Sequence, residues 1–113
     1  MNYQKGDIVI IKFPFSDLSR VKKRPSLIIS NDLVNQTGDY LMVQITSKIR
    51  NDELSLKINQ KHYIDQKALP LQSCLRLHKI FLLNEDLIIS KYTAVKESFM
   101  NTIIERIIKL IKS

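Results

Sequence analysis

Short apolar segments separated by turn-forming residues run through most of this chain. Some are continuous runs of β-branched and aromatic residues and others alternate apolar with polar positions, and both patterns are typical of β-strands. Asparagine and aspartate are frequent outside these segments, and both glycines, Gly6 and Gly38, also lie there, as turns require. About six segments fit this description: 8–13, 25–30, 40–45, 54–58, 73–77 with its apolar continuation 80–83, and 87–92.

The last part of the chain changes to the period of an α-helix. Apolar residues there form two adjacent rows, Val95, Phe99, Ile103 and Ile107 beside Met100, Ile104, Ile108 and Ile111. This stripe predicts an amphipathic helix that packs on the core, with Thr93 as its N-cap. Lys109 and Lys112 lie at the end of the helix, where the dipole favours cations.

The order of these elements restricts the architecture. Because no strand alternates with a helix, a parallel sheet built from βαβ units is disfavoured. We predict a mainly β fold, either a small antiparallel barrel or a strongly bent sheet, with the C-terminal helix packed on one side. The chain has 113 residues and shows neither a linker nor an internal repeat, so a single domain, 1–113, is expected.

Composition and charge narrow the possible partners. The formal net charge of +7 indicates an anionic partner, which leaves nucleic acid, a membrane surface and an acidic protein open. Cys74 is the only cysteine, so an intramolecular disulfide is impossible, and we expect it in the core. The N-terminus does not resemble a signal peptide, and no apolar run reaches the roughly 18 residues that span a bilayer. A cytoplasmic protein without membrane association is therefore expected.

A basic cluster, Lys22-Lys23-Arg24, stands directly before Pro25 and an apolar run. We expect Lys22 and Lys23 in a long connection after the first strand, where they offer positive charge to a polyanion. Pro25 restricts the residue before it to an extended conformation, so Arg24 is held at the mouth of a strand. We interpret Arg24 as a chemically active residue.

Several other polar residues fall at predicted strand ends and suit phosphate chemistry. Arginine binds a phosphate through two hydrogen bonds, hydroxyl groups hold its oxygens, and imidazole transfers protons near neutral pH. Each also has a structural interpretation: a surface charge, a satisfied polar residue or a strand-end side chain. The two histidines and one cysteine lack metal-ligand spacing, and no glycine-rich phosphate loop exists, so neither metal nor cofactor is expected. The candidates are Arg24, Thr46, Ser47, Arg76 and His78.

Four motifs in register resemble the MazF/PemK toxins of type II toxin–antitoxin systems. They are Gly6-Asp7-Ile8-Val9, the run from Arg24 to Ser30, Gln44-Ile45-Thr46-Ser47, and Leu69-Pro70 followed by Ser73-Cys74-Leu75-Arg76. The resemblance spans nearly the whole chain. It implies an SH3-like antiparallel β-barrel that forms a homodimer, and a metal-independent endoribonuclease that cuts single-stranded mRNA at short sequences. It further implies 2′,3′-cyclic phosphate and 5′-OH ends, and a cognate antitoxin whose acidic tail blocks the site.

The same resemblance assigns roles to individual residues. Arg24 and Thr46 match the main catalytic pair, and Arg76 matches a third catalytic residue of PemK-like members. His78 stands where the family has an acidic base, so the identity of the base stays open. The residues expected to bind RNA are Phe15, Lys22, Lys23, Ser47 and Lys48.

Two alternatives from other functional classes remain. One is a non-catalytic toxin of the same fold that poisons gyrase by protein contact. Such toxins place critical bulky residues at the chain end, whereas this chain ends with Ile111-Lys112-Ser113, which disfavours them. The other is an RNA-binding barrel without activity, which would bind RNA with a strong salt dependence and leave it intact.

Overall fold

Six antiparallel strands form one sheet in the computed structural model, which describes residues 3–13 and 22–113. Two α-helices accompany them: the short α1 (Asp32–Asn35) and the C-terminal α2 (Glu97–Ile111). Short 3₁₀ turns lie at Gln60–His62, Ile64–Gln66 and Glu85–Leu87. The strands are β1 (Asp7–Phe13), β2 (Lys22–Ile28), β3 (Asp39–Thr46), β4 (Ser55–Ile58), β5 (Ser73–Asn84) and β6 (Ile88–Ala94). The mainly β fold with a C-terminal helix is confirmed.

The strand order across the sheet is β4-β5-β3-β2-β1-β6. The two edge strands, β4 and β6, are not neighbours in this order, so the barrel is not closed. One antiparallel bridge joins Tyr63, which follows β4, to Val95, which follows β6. The segments that follow the two edge strands are therefore in contact.

The apolar runs of β1, β2 and β3 are buried on both faces of the sheet. Their alternate side chains enter two separate clusters, Ile8 and Leu27 in the first, Val9 and Ile28 in the second. Helix α2 covers the first cluster, as its apolar stripe predicts. Four residues of the helix are buried there: Phe99, Met100, Ile103 and Ile107.

Strand β2 begins three residues earlier than predicted. Lys22, Lys23 and Arg24 lie within the strand, where they pair with Phe13, Lys12 and Ile11 of β1, and not in a connection. Backbone hydrogen bonds can form between strands whose side chains are polar and exposed. The apolar pattern therefore predicted a strand that is too short at its beginning. The β2–β3 pairing begins only at Ser26, so Pro25, which has no N–H, interrupts no ladder on that side.

The start of helix α2 also differs from the prediction. Thr93 is not its N-cap: it is a buried residue of β6, and its Oγ1 donates a hydrogen bond to the Lys67 carbonyl at 2.6 Å. The helix begins at Glu97, with Lys96 in the cap position. Backbone bonds from Val95 N to Gly6 O and from Lys96 N to His62 O, both 2.9 Å, hold the preceding residues extended. Because of these tertiary hydrogen bonds, the helix begins two residues after Val95, the first residue of its apolar stripe.

Strand β5 runs without a break through the predicted segment 73–77 and its apolar continuation 80–83. Its pairing with β3 shifts register sharply, because Val43 lies opposite Ile80 while the next residue, Gln44, lies opposite Arg76. Three residues of β5, from 77 to 79, are therefore extra relative to β3. A bulge of this kind interrupts the alternation of side chains between the two faces.

Candidate active site

The strand register places Arg24, Thr46 and Arg76, three of the predicted catalytic residues, on one face of the sheet. Ser26 lies opposite Gln44, and Gln44 lies opposite Arg76, so these three side chains share a face. Arg24 and Thr46 are each two residues away along their strands, and alternation therefore places them on that face too. It is the face opposite to helix α2.

Arg24 and Thr46 lie at the same end of this face. Continuing the β2–β3 register by two residues places Arg24 opposite Thr46, beyond the last paired position. Thr46 pairs with Cys74 of β5, which makes Arg76 its diagonal neighbour, and such neighbours are about 7 to 8 Å apart. Arg24 is exposed, whereas Thr46 is half-buried. Long arginine side chains at these positions can approach one phosphate from two sides.

Residues at the end of β3 form a compact turn beside Thr46. The Lys48 N–H donates to Thr46 Oγ1 at 3.1 Å, which orients the hydroxyl oxygen. Ser47 and Lys48 are both exposed, and the Cys74 thiol contacts the Lys48 carbonyl at 3.6 Å. Cys74 itself is fully buried, as predicted. The turn thus presents a hydroxyl and an ammonium group to solvent next to a constrained threonine.

Arg76 is not a surface charge, because only 8% of the residue is exposed. Its Nη1 donates to the Asp52 carboxylate, at 3.3 Å to Oδ2 and 3.5 Å to Oδ1, and also to Ser55 Oγ. The hydrogen bonds from Ser55 and Arg76, together with the Leu54 backbone N–H, lower the pKa of Asp52 against the opposing effect of desolvation. The arginine is therefore held by an ionised carboxylate and a hydroxyl group.

His78 lies inside the register shift of β5 and its side chain is exposed. Alternation places Cys74 and Arg76 on one face, but counting from Arg76 and from Ile80 gives opposite faces for His78. The alternation of side chains along β5 is therefore interrupted at His78. His78 lies two residues after Arg76 in β5.

The expected RNA-binding residues are only partly described. Lys22 and Lys23 are exposed at the start of β2, next to Arg24. Phe15 lies outside the described residues. Phe13 packs on the second apolar cluster, and its ring centroid is 6.1 Å from that of Phe81, as expected for a core residue.

A cavity of about 300 Å³ adjoins Arg24. Polar groups at its margin come from Arg24, Ser47 and Ser73, and the half-buried ring of Tyr92 contributes an aromatic wall. The Lys67 ammonium lies 5.2 Å from the centroid of that ring. The apolar walls are Ile10, Pro25, Ile45, Leu69, Pro70 and Leu71. The cavity thus combines a flat aromatic wall with hydrogen-bonding groups at one side.

A larger cavity of about 660 Å³ lies beside α1 and contains none of the predicted site residues. Its walls include Asp32 and Glu85, whose carboxylates are unsuited to an anionic ligand. Within residues 3–13 and 22–113, no group of three or more histidine, cysteine or acidic side chains is arranged to hold a metal ion. No helix in these ranges is long and apolar enough to cross a membrane.

The sequence interpretation missed the partners of Arg76. Asp52 and Ser55 lie 24 and 21 positions before it in the chain. Asp52 belongs to a polar segment that reads simply as a turn, and no spacing motif links it to Arg76. Only the pairing of β4 with β5, in which Ser55 lies opposite Arg76, brings the three residues together.

Comparison with known proteins agrees with the fold. The sequence model of the family described as PemK-like, MazF-like toxin of type II toxin-antitoxin system matches residues 4–111. The chain therefore belongs to this family of toxins. No significant match was found among curated proteins.

Solved structures of similar fold are distant in sequence. A mycobacterial endoribonuclease in complex with its cognate antitoxin has a TM-score of 0.77 at 19% identity, covering 97% of this chain and 95% of the other. MazF from Deinococcus radiodurans has a TM-score of 0.75 at 14% identity, covering 97% and 98%. The Mycobacterium tuberculosis toxin MazF-mt6 has a TM-score of 0.72 at 15% identity, covering 93% and 95%. The fold is shared over almost the full length of each chain.

Proposed function

We propose that this toxin is a metal-independent endoribonuclease that cleaves single-stranded mRNA at short sequences. The observation that carries the proposal is the placement of Arg24, Thr46 and Arg76 on one face of the sheet, in a chain of the PemK-like, MazF-like family. Two guanidinium groups and a hydroxyl are suited to a phosphodiester, because they bind its oxygens without requiring a metal.

The proposed reaction is an attack of the ribose 2′-oxygen on the adjacent phosphorus. A base removes the 2′-OH proton, the bond from phosphorus to the 5′-oxygen breaks, and an acid protonates the leaving oxygen. The products carry a 2′,3′-cyclic phosphate and a 5′-OH. Arg24 and Arg76 stabilise the charge that develops on the phosphoryl oxygens, Thr46 and Ser47 position the phosphate, and His78 acts as acid or base.

The proposed binding surface extends from this face to the basic residues around it. Lys22, Lys23 and Lys48 contact backbone phosphates, and Phe15 stacks on a base. The cavity beside Arg24, with the Tyr92 ring in its wall, is of a size and polarity that suit one nucleobase. We expect the protein to act in the cytoplasm, where its substrate is found.

We also propose two partners. A cognate antitoxin with an acidic C-terminal segment blocks the arginine-rich face, an interpretation supported by the net charge of +7 and by the antitoxin complex of a protein with the same fold. A second copy of the chain completes a homodimer. Light scattering with mass determination tests the dimer, and loss of RNA cleavage on addition of the antitoxin tests the first partner.

The central experiment measures cleavage of a panel of unstructured RNAs in EDTA, with mass spectrometry of the product ends. Arg24→Ala is expected to lower kcat about 10²- to 10³-fold, the usual cost of removing one group that stabilises transition-state charge. Arg24→Lys keeps the charge but not the two-pronged geometry, and is expected to restore little activity. Lys109→Ala, an exposed cation on α2, is the control and should retain wild-type activity.

Because Arg24 is exposed, the free energy of unfolding of these variants should lie within about 0.5 kcal/mol of the wild-type value. A wild-type protein that binds the RNAs with strong salt dependence but leaves all of them intact would indicate the non-catalytic RNA-binding alternative. Inhibition of DNA supercoiling by gyrase, without RNA cleavage, would indicate the gyrase-poison alternative.

A further inference from the structure

Asp52 contacts the guanidinium of Arg76 from the turn that precedes β4. We propose that Asp52, together with Ser55, is a positioning residue that holds one edge of the Arg76 guanidinium so that the opposite edge faces the scissile phosphate. This inference rests on the proposed function, because it concerns the same face of the sheet. Asp52 acts through Arg76 and is not expected to contact the reacting atoms.

The contacts of Arg76 are confined to one nitrogen. A guanidinium carries five N–H donors, two on each terminal nitrogen and one on Nε. Both donors of Nη1 are directed at Asp52 and Ser55. Across residues 3–13 and 22–113, neither Nη2 nor Nε has a hydrogen-bond partner, and no fully buried side-chain nitrogen or oxygen lacks one. Nη2 and Nε are therefore accessible to solvent, although the residue as a whole is buried.

This geometry distinguishes a support from a blocking group. A carboxylate that blocked the phosphate site would bind guanidinium in the two-pronged manner, with one oxygen on each of two nitrogens. Here both carboxylate oxygens approach the same Nη1, at 3.3 and 3.5 Å. Three N–H donors, two on Nη2 and one on Nε, remain for two phosphate oxygens. The anchored side chain also has less rotational freedom to lose when the phosphate binds.

Asp52 is itself held in place by hydrogen bonds to its own turn and, through that turn, to the sheet. Asp52 Oδ1 accepts a hydrogen bond from the Leu54 N–H at 3.0 Å, and the Ser55 N–H donates to the Asp52 carbonyl at 3.3 Å. The Leu54 carbonyl accepts from the Leu77 N–H at 2.8 Å, which ties this turn to β5 next to Arg76. These hydrogen bonds connect the turn that contains Asp52 to the strand that carries Arg76.

The charge of Asp52 has a separate role. A cation that is only 8% exposed needs a counter-charge, since removing a charged group from water is costly when it is unpaired. Asp52 supplies this charge while its own side chain stays 43% exposed. The site can therefore keep a buried, oriented arginine even when no phosphate is bound.

The test uses Asp52→Asn, which keeps the shape of the side chain and its acceptor for Leu54 but removes the charge. Its kcat on an RNA that the wild type cleaves is expected to fall about 10- to 100-fold with little change in KM, because a misplaced group loses transition-state contacts. Ser55→Ala is a second variant with the same expected direction. Glu53→Gln is the matched control, since it makes the same charge change at the neighbouring exposed position and should match the wild type.

A double-mutant cycle separates positioning from a merely structural role. Once Arg76→Ala has removed the arginine, Asp52→Asn should cause no further loss of kcat, whereas independent effects would multiply. Wild-type kcat in Asp52→Asn, or multiplicative losses in the double variant, would overturn this inference alone. Failure of the wild type to cleave any RNA would overturn both the proposed function and this inference.

Discussion

Ile103 is the residue on which the packing of helix α2 can be tested most directly. Its side chain is fully buried, at 0% exposure, in the cluster that the helix forms with the sheet, and Leu75 and Leu77 of β5 belong to the same cluster. Ile111 lies on the same helix and is 77% exposed. The same substitution, isoleucine to alanine, therefore removes the same atoms from two very different environments.

The expected magnitude follows from this burial. Isoleucine to alanine removes three carbon atoms, and at about 0.8 kcal/mol for each buried methylene the transfer cost is about 2.4 kcal/mol. The cavity left behind adds to this cost, and measured values for this type of change are about 2 to 5 kcal/mol. The better helix propensity of alanine returns less than about 0.7 kcal/mol. We therefore expect Ile103→Ala to lower the free energy of unfolding by about 3 kcal/mol.

Guanidinium chloride titration followed by circular dichroism, at one protein concentration, measures this difference. Ile111→Ala should lie within about 0.5 kcal/mol of the wild type, because its side chain loses almost no burial. An Ile103→Ala cost below about 1 kcal/mol, or equal costs for the two variants, would refute the argument that the helix stabilises the sheet through this stripe.

Two further predictions concern pH and salt. Desolvation, and then the charges of Lys61 and Lys96, lower the pKa of His62 below its ordinary value of 6.5, so the unfolded chain takes up this proton first as pH falls. The wild type should therefore lose stability between pH 7.5 and 5.5, and the loss should be smaller in His62→Gln; equal losses in chemical denaturation would contradict this. Replacing both Lys22 and Lys23 with alanine should reduce the salt slope of binding to a 2′-O-methyl RNA by about 1.4, at about 0.7 per phosphate contact. Fluorescence anisotropy measures the slope, and an unchanged value would exclude phosphate contacts by these lysines.

The prediction for Lys22 and Lys23 was right about their exposure and wrong about the element that carries them. The basic cluster is indeed exposed, but it lies in β2 and not in a connection. Its side chains therefore have fixed directions that alternate along the strand. A basic strand offers a more rigid surface than a basic loop, and the lysine substitutions above test whether RNA uses it.

Local periodicity determined much of the fold. Apolar patterns indicate which faces are buried, because burial of apolar area dominates the free energy of folding. This holds for the runs of β1, β2 and β3 and for the stripe of α2. Six strands and one long helix follow from that pattern alone. The candidates Arg24 and Thr46 were also accessible from the sequence, since Pro25 and the end of the apolar run at Ile45 mark where β2 and β3 leave the core.

The tertiary structure alone decided which distant residues meet. Thr93 lies in β6 because it pairs with Ile8 of β1, and His78 lies in a bulge because of the register between β3 and β5. Arg76 donates hydrogen bonds to Asp52 and Ser55 only because β4 pairs with β5. Pairing and register depend on the packing of both faces and on turns far apart in the chain, so no local window of sequence contains them. Periodicity therefore shows which side chains are buried, and the pairing of strands decides what each polar side chain contacts.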